Sequence, residues 1–146
     1  MTTFKNDFLV GTQNELRLLD TLRNYFCDDI EMTPQGSKFD YKSDRYFYEL
    51  KTRNNKYATY PTTLIPYSKV LQDKIFMERQ FFVFCFLDGT YYIKYNKELF
   101  ETFDLLDFQR RPRPDIVDKK QLYYYIPIEH LKKINKNPKP YREINN

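Results

Sequence analysis

The run Phe81-Phe82-Val83-Phe84-Cys85-Phe86-Leu87 constrains the fold more than any other stretch of the chain. Seven consecutive apolar residues leave neither face of a strand for water, so a strand here needs cover on both sides. The run is far shorter than the roughly 20 residues that cross a bilayer, and it reads as a buried strand with no membrane partner. Two-sided cover, in a chain that also carries helical periodicity, predicts an α/β sandwich. At 146 residues a single domain is expected over 1–146, with a core of about 4–134 and a basic, fraying tail at 135–146. The 14 Tyr and 13 Phe supply large buried areas.

Around that strand the periodicity predicts an order of elements. Phe8, Leu19, Leu22 and Phe26, with Thr12 and Glu15 in the same ladder, predict an amphipathic helix over 4–26. Short strands are expected at 30–33, 38–42 and 45–53, the last two folded as a hairpin through Ser43 and Asp44. Pro66 suits the first turn of a second helix over 66–79. Asp88-Gly89 reads as the turn of a hairpin between 81–87 and 91–95. A short helix near 97–103, a strand at 122–126 and a closing helix at 128–134 complete the expectation.

Composition excludes several chemistries. Three glycines (Gly11, Gly36, Gly89) cannot build a G-x-G-x-x-G or Walker loop, and one histidine, His130, cannot build a two-histidine metal site. His130 reads as structural. Cys27 and Cys85 allow one disulfide at most, and Cys85 within the apolar run reads as a reduced, buried thiol, which points to a reducing intracellular setting. The first ten residues carry Lys5 and Asp7 and no apolar signal core. The net charge of +4 is uneven: residues 109–146 hold ten Lys or Arg against four Asp or Glu, while residues 1–108 come to −2. A basic end of this kind suits a polyanionic partner.

The chemistry-bearing stretch is 38–53. In a strand alternate residues share a face, which sets Phe47, Glu49, Lys51 and Arg53 on one side and Tyr46, Tyr48, Leu50 and Thr52 on the other. In the predicted hairpin, residues whose numbers sum to 89 are opposed, so Asp40 faces Glu49. Like charges directly opposed are destabilising unless a cation lies between them. Oxygen ligands in this arrangement suit Mg²⁺ or Mn²⁺. Lys51 could orient a water or offset charge on a phosphate, and Glu15, a carboxylate interrupting an apolar ladder, would be a third acid for the site.

Glu15 on a first helix, Asp40 near a strand and Glu49-Leu50-Lys51 in the next strand together resemble the PD-(D/E)xK nuclease superfamily, the restriction-endonuclease-like proteins that include small Holliday junction resolvases. The tripeptide alone is uninformative, since Asp40-Tyr41-Lys42 and Asp118-Lys119-Lys120 have the same form. The constellation carries the resemblance, over roughly residues 4–88. It implies an αβββαβ core, a central mixed sheet flanked by helices, here with a C-terminal strand and helix added. It also implies that Asp40 and Glu49 bind Mg²⁺ with the Leu50 carbonyl, that Lys51 assists the attacking water, and that Glu15 acts directly or through water. Phe39 stands where the family pattern has Pro.

The expectation is a Mg²⁺-dependent endonuclease acting on DNA in preference to RNA, with structure-selective cleavage or a homodimer completing its footprint. Arg53, Lys56, Lys69, Gln72, Arg110, Arg111 and Arg113 are candidates for nucleic-acid contacts. Tyr123, Tyr124 and Tyr125 could stack on bases or belong to the core. The Lys, Asn, Tyr and Phe bias resembles that of proteins from AT-rich viral or mobile genomes. The alternatives are a nucleic-acid-binding or assembly module without catalysis, and a structural viral protein with an exposed apolar patch.

Overall fold

A computed structural model describes residues 15–111 and 122–135. Helix α1 covers 15–25 of these residues. Strands β1 (Glu31–Met32), β2 (Tyr41–Lys42) and β3 (Phe47–Thr52) form an antiparallel meander. Strand β4 (Thr62–Pro66) leaves for a different sheet, and β5 (Gln80–Phe86) returns to lie parallel to β3. Strand β6 (Gly89–Lys94) pairs antiparallel with β5, α2 (Lys97–Phe100) is one turn capped by the Asn96 side chain, and β7 (Asp104–Leu106), β8 (Tyr123–Pro127) and β9 (Lys132–Lys133) follow. The result is a six-stranded mixed sheet, β1-β2-β3-β5-β6-β9, and a three-stranded antiparallel sheet, β4-β8-β7.

The two-sided burial of β5 organises both layers. Phe81 and Val83 meet Leu18, Leu22, Tyr25 and Phe26 of α1 and its C-terminal end, together with Tyr41, Tyr48 and Tyr92. Phe82, Phe84 and Phe86 face the other way, toward Ile65, Tyr124 and Ile126 of the small sheet. Phe81 to Phe84 are fully buried, and each such side chain contributes on the order of 2 kcal/mol of transfer free energy. Strand β3 and the residue before it alternate in the same sense, with Tyr46, Tyr48 and Leu50 on the α1 side and Phe47 on the small-sheet side.

The helix-flanked α/β expectation is therefore corrected. The protein is mostly β, and among the described residues only α1 exceeds a single helical turn. Both faces of β5 are covered, but one cover is a sheet. Apolar periodicity in the covered strand demands a partner layer without specifying its kind. Strand β4, Thr62-Thr63-Leu64-Ile65-Pro66, pairs along its whole length with the aromatic and β-branched strand β8.

The second helix expected over 66–79 is absent. Pro66 ends β4 with extended backbone, and Tyr67–Lys69 makes a single 3₁₀ turn closed by Val70 N–H on the Tyr67 carbonyl. The side chain of Gln80, fully buried, then takes over the main chain that a helix would have used. Its oxygen accepts from Leu71 N–H at 2.7 Å, and its amide donates to the Met77 carbonyl at 2.7 Å and the Leu71 carbonyl at 3.4 Å. Asp73 accepts from Ile75 N–H through its side chain, the local competition that draws Asp out of helices. Only Met77–Arg79 makes another 3₁₀ turn.

The closing helix over 128–134 is likewise replaced, by a 3₁₀ turn at Ile128–His130 and then β9, which pairs with Tyr91 and Tyr92. Leu131 packs in the small-sheet core and Ile134 in the α1 core. Two residues that bury on opposite faces of a sheet cannot share one helix stripe. The 86–89 pairing places Leu87 and Asp88 in the hairpin turn, one residue earlier than Asp88-Gly89. Predicted residues 4–14 of the first helix and the tail beyond 135 lie outside the described residues. Among those described, no helix is long and apolar enough to cross a membrane, and Cys27 and Cys85 are not joined by a disulfide, Cys85 being half-buried instead of fully buried.

Candidate active site

The hairpin register brings the acids together. Tyr41 opposes Tyr48 and Lys42 opposes Phe47, the pairing expected from numbers that sum to 89. The ladder continues to Asp40, whose N–H donates to the Tyr48 carbonyl at 3.0 Å and whose carbonyl accepts from Thr33 N–H at 3.0 Å. Beyond β2 the Leu50 N–H has no strand partner on that side, and the Asp40 carboxylate accepts it at 2.8 Å. Asp40 therefore does structural work as well as carrying charge.

Glu49, one residue along β3, is only 3% exposed. Its Oε2 lies 3.3 Å from Lys51 Nζ and 3.5 Å from Lys69 Nζ. Its Oε1 is buried without a hydrogen-bond partner among the described residues. Burial, then the Asp40 charge, pushes the Glu49 carboxyl above its ordinary range, while Lys51 and Lys69 pull the other way. Burial wins for a stated reason: the lysines are 24% and 33% exposed, where ion pairs contribute about 1 kcal/mol or less, whereas removing a carboxylate from water costs several kcal/mol.

Glu15, at the start of the described part of α1, joins this pair. Its carbonyl accepts from the Tyr41 hydroxyl at 2.7 Å, which ties the helix to β2. Its carboxyl is raised from 4.5 to about 6 by burial first, then by the Asp40 charge, a side-chain hydrogen bond to Asp40 and the Glu49 charge. The two acids crowd each other, so the Glu15 carboxyl keeps its proton to a higher pH than an exposed glutamate. Glu15 and Asp40 border a depression of about 350 Å³. Its wall includes the turn 34–37, where Ser37 N–H returns to the Pro34 carbonyl and Gly36 sits at φ +91°, a conformation glycine adopts without a Cβ penalty.

Lys69 is the supporting residue that the fold delivers to the site: besides Glu49, it donates to the Lys38 carbonyl at 3.3 Å. Lys38 itself was not foreseen. Its ammonium is lowered by burial and then by Lys69, with Glu49 opposing. The available signal was its position two residues before Asp40 in the strand expected over 38–42, although the structure bends at 38–40 and the strand proper covers only Tyr41–Lys42.

The other candidates are used elsewhere. Arg53 donates Nε–H to Thr63 Oγ1 at 3.1 Å and another N–H to the Leu64 carbonyl, and it lies over Phe84. It bolts β3 to β4. Lys56 is exposed in the turn after β3, and Gln72 donates within its own turn to the Val70 carbonyl. Arg110, at φ +63°, covers Tyr125 at 4.4 Å, and Arg111 pairs with Asp107 at 3.0 Å. Arg113 lies outside the described residues. Tyr124 and Tyr125 are buried, and His130 is exposed against Phe103.

Among the described residues no group of three or more His, Cys, Asp or Glu is disposed to close around a metal ion. The donor set to be tested is therefore Asp40, Glu49 and the Leu50 carbonyl. It fits a divalent cation of the Mg²⁺ type on one observation, the buried Glu49 oxygen without a partner. All donors are hard oxygens, and Mg²⁺ keeps several water or phosphate positions around one or two carboxylates. Comparisons with protein-family models, curated proteins and solved structures return no match.

Proposed function

We propose that this protein is a metal-dependent endonuclease that hydrolyses phosphodiester bonds, in DNA in preference to RNA. The observation that carries the reading is Glu49: a carboxylate buried on a sheet face, beside Asp40, with one oxygen left without a partner. A fold gains nothing from such a group by itself. The resemblance of Glu15, Asp40 and Glu49-Leu50-Lys51 to the PD-(D/E)xK pattern supports the same chemistry.

Asp40, Glu49 and the Leu50 carbonyl would hold Mg²⁺, with Mn²⁺ as a substitute. When bound, such a cation polarises the phosphate and lowers the pKa of its water. The chain's own residues do the rest. Lys51, 3.3 Å from Glu49, orients the attacking water and offsets charge on the phosphate. Lys69, 3.5 Å from the same Glu49 oxygen, adds a second ammonium to face the phosphate. Glu15 stays neutral beside Asp40 at low pH and becomes a further negative charge for a cation as pH rises through about 6.

A second reading has its own support. Lys51 and Lys69 both pair with Glu49 Oε2, which suits a nucleic-acid-binding or assembly module without catalysis. Titration with Mn²⁺, followed by the relaxation of water protons, separates the two. The nuclease reading expects one or two sites that weaken at least tenfold in Glu49→Gln. A wild-type protein that leaves the relaxation unchanged overturns it in favour of the binding module.

A further inference from the structure

A groove of about 360 Å³ opens beside Lys51 and shares no lining residue with the depression at Glu15 and Asp40. Its wall runs from Lys51 and Arg53 at the end of β3 across β4 to Tyr123 of β8. Its lining includes Tyr60, 59% exposed, and Phe108, 73% exposed among the described residues. Exposed rings are ordinary when scattered singly, but these two line one groove and so present their apolar faces to the same space. Among the described residues that line the groove none is acidic, whereas two are cations. Arg53 is held by Thr63 and Leu64, so its charge stays in the wall. Lys51 belongs both to the groove and to the carboxylate cluster, which fixes the groove's position relative to the candidate chemistry.

Positive charge at one end, exposed aromatic rings and a volume in the range of small-ligand sites match one chemical class, an aromatic base carried on a phosphate. We infer that the groove receives an unpaired nucleotide of a nucleic-acid strand, its phosphate toward Lys51 and Arg53 and its base against Phe108 and Tyr60. This rests on the nuclease reading for the position of the cut and deepens it. The substrate class is nucleic acid with single-stranded or splayed nucleotides next to the scissile phosphate. A base within a continuous duplex is already stacked on both sides and has no face to offer a side chain.

The test is equilibrium binding in chelator, so that it does not depend on cleavage. A fluorescent single-stranded oligodeoxynucleotide about twelve nucleotides long is compared with the same length carrying abasic positions and with a blunt duplex, using wild type, Tyr60→Ala and Phe108→Ala. Both side chains are exposed, and unchanged melting curves confirm that the variants fold. The inference expects each variant to bind the base-bearing strand about tenfold more weakly than wild type, with no change for the abasic strand or the duplex. Equal weakening on all three ligands, no weakening, or no single-strand binding by wild type overturns it. Thymidine monophosphate displacing the strand at equal concentration also overturns it and assigns the groove to a free nucleotide. Should metal-dependent cleavage fail while this pattern holds, the nuclease reading falls alone.

Discussion

Replacing Gln80 by Met tests how the segment carrying Lys69 is held. The two side chains are similar in length, so the change removes polar atoms more than volume. Gln80 is fully buried and bonds to Leu71 N–H, the Leu71 carbonyl and the Met77 carbonyl. The two bonds at 2.7 Å dominate, and each group left without a partner costs roughly 1–3 kcal/mol. Residues 72–76 are exposed, so water reaches part of the released main chain and the lower half of that range applies. Greater apolar burial by Met offsets about 1 kcal/mol. The net expectation is a loss of about 2 kcal/mol, or a fall in Tm of about 6–8 °C for a domain of this size. Urea denaturation measures the first quantity, and hydrogen exchange at the Leu71 amide measures its local origin, with protection lost in the variant. A stability change within about 0.5 kcal/mol, or a Leu71 amide as protected as in wild type, would refute the claim that Gln80 replaces a helix as the organiser of 70–79.

Two further outcomes concern the acids. Glu15 has a raised carboxyl in the fold, so its proton stabilises the protein below the ordinary value of 4.5 and that contribution is lost as pH rises through about 6. In chelator, Glu15→Gln should therefore melt above wild type at pH 7 and with it near pH 4, as followed by thermal melts across that range; an identical pH profile for the two would count against a carboxyl raised by burial beside Asp40. Asp40→Ala should lose about 1–2 kcal/mol, because Leu50 N–H is left without its acceptor. Asp40→Asn keeps an oxygen in place and should retain most of that stability by urea titration, while both variants lose metal binding.

Much of the candidate site was legible because it depends on local rules. Strand alternation and the 89 register need only the turn at 43–46, and they place Tyr41 against Tyr48 and bring Asp40 beside Glu49. Glu15 was visible as a charge interrupting an apolar ladder. The misjudged elements depend on distant partners. Residues 66–79 have helical composition, yet Gln80, outside the window, binds their main chain. Strand β4 becomes a strand through pairing with β8, about sixty residues later. Leu131 and Ile134 have helical spacing but bury on opposite faces of one sheet. Arg53 has the sequence position of a phosphate ligand, and its contacts also make it a strand clamp, because Thr63 and Leu64 arrive from that same unforeseen strand and fix its charge in the groove wall.

The central claim is that the Asp40, Glu49 and Lys51 cluster cuts phosphodiester bonds with a metal. Its most direct test is cleavage of labelled supercoiled, linear, branched and single-stranded DNA, and of RNA, with Mg²⁺ or Mn²⁺ and with chelator, by wild type, Glu49→Ala and Lys51→Ala. The account predicts metal-dependent cutting by wild type, strongest on DNA with unpaired nucleotides, that falls by at least about 100-fold in each variant. Nucleic acid bound but uncut under every metal, or cut equally well by Glu49→Ala, would contradict it.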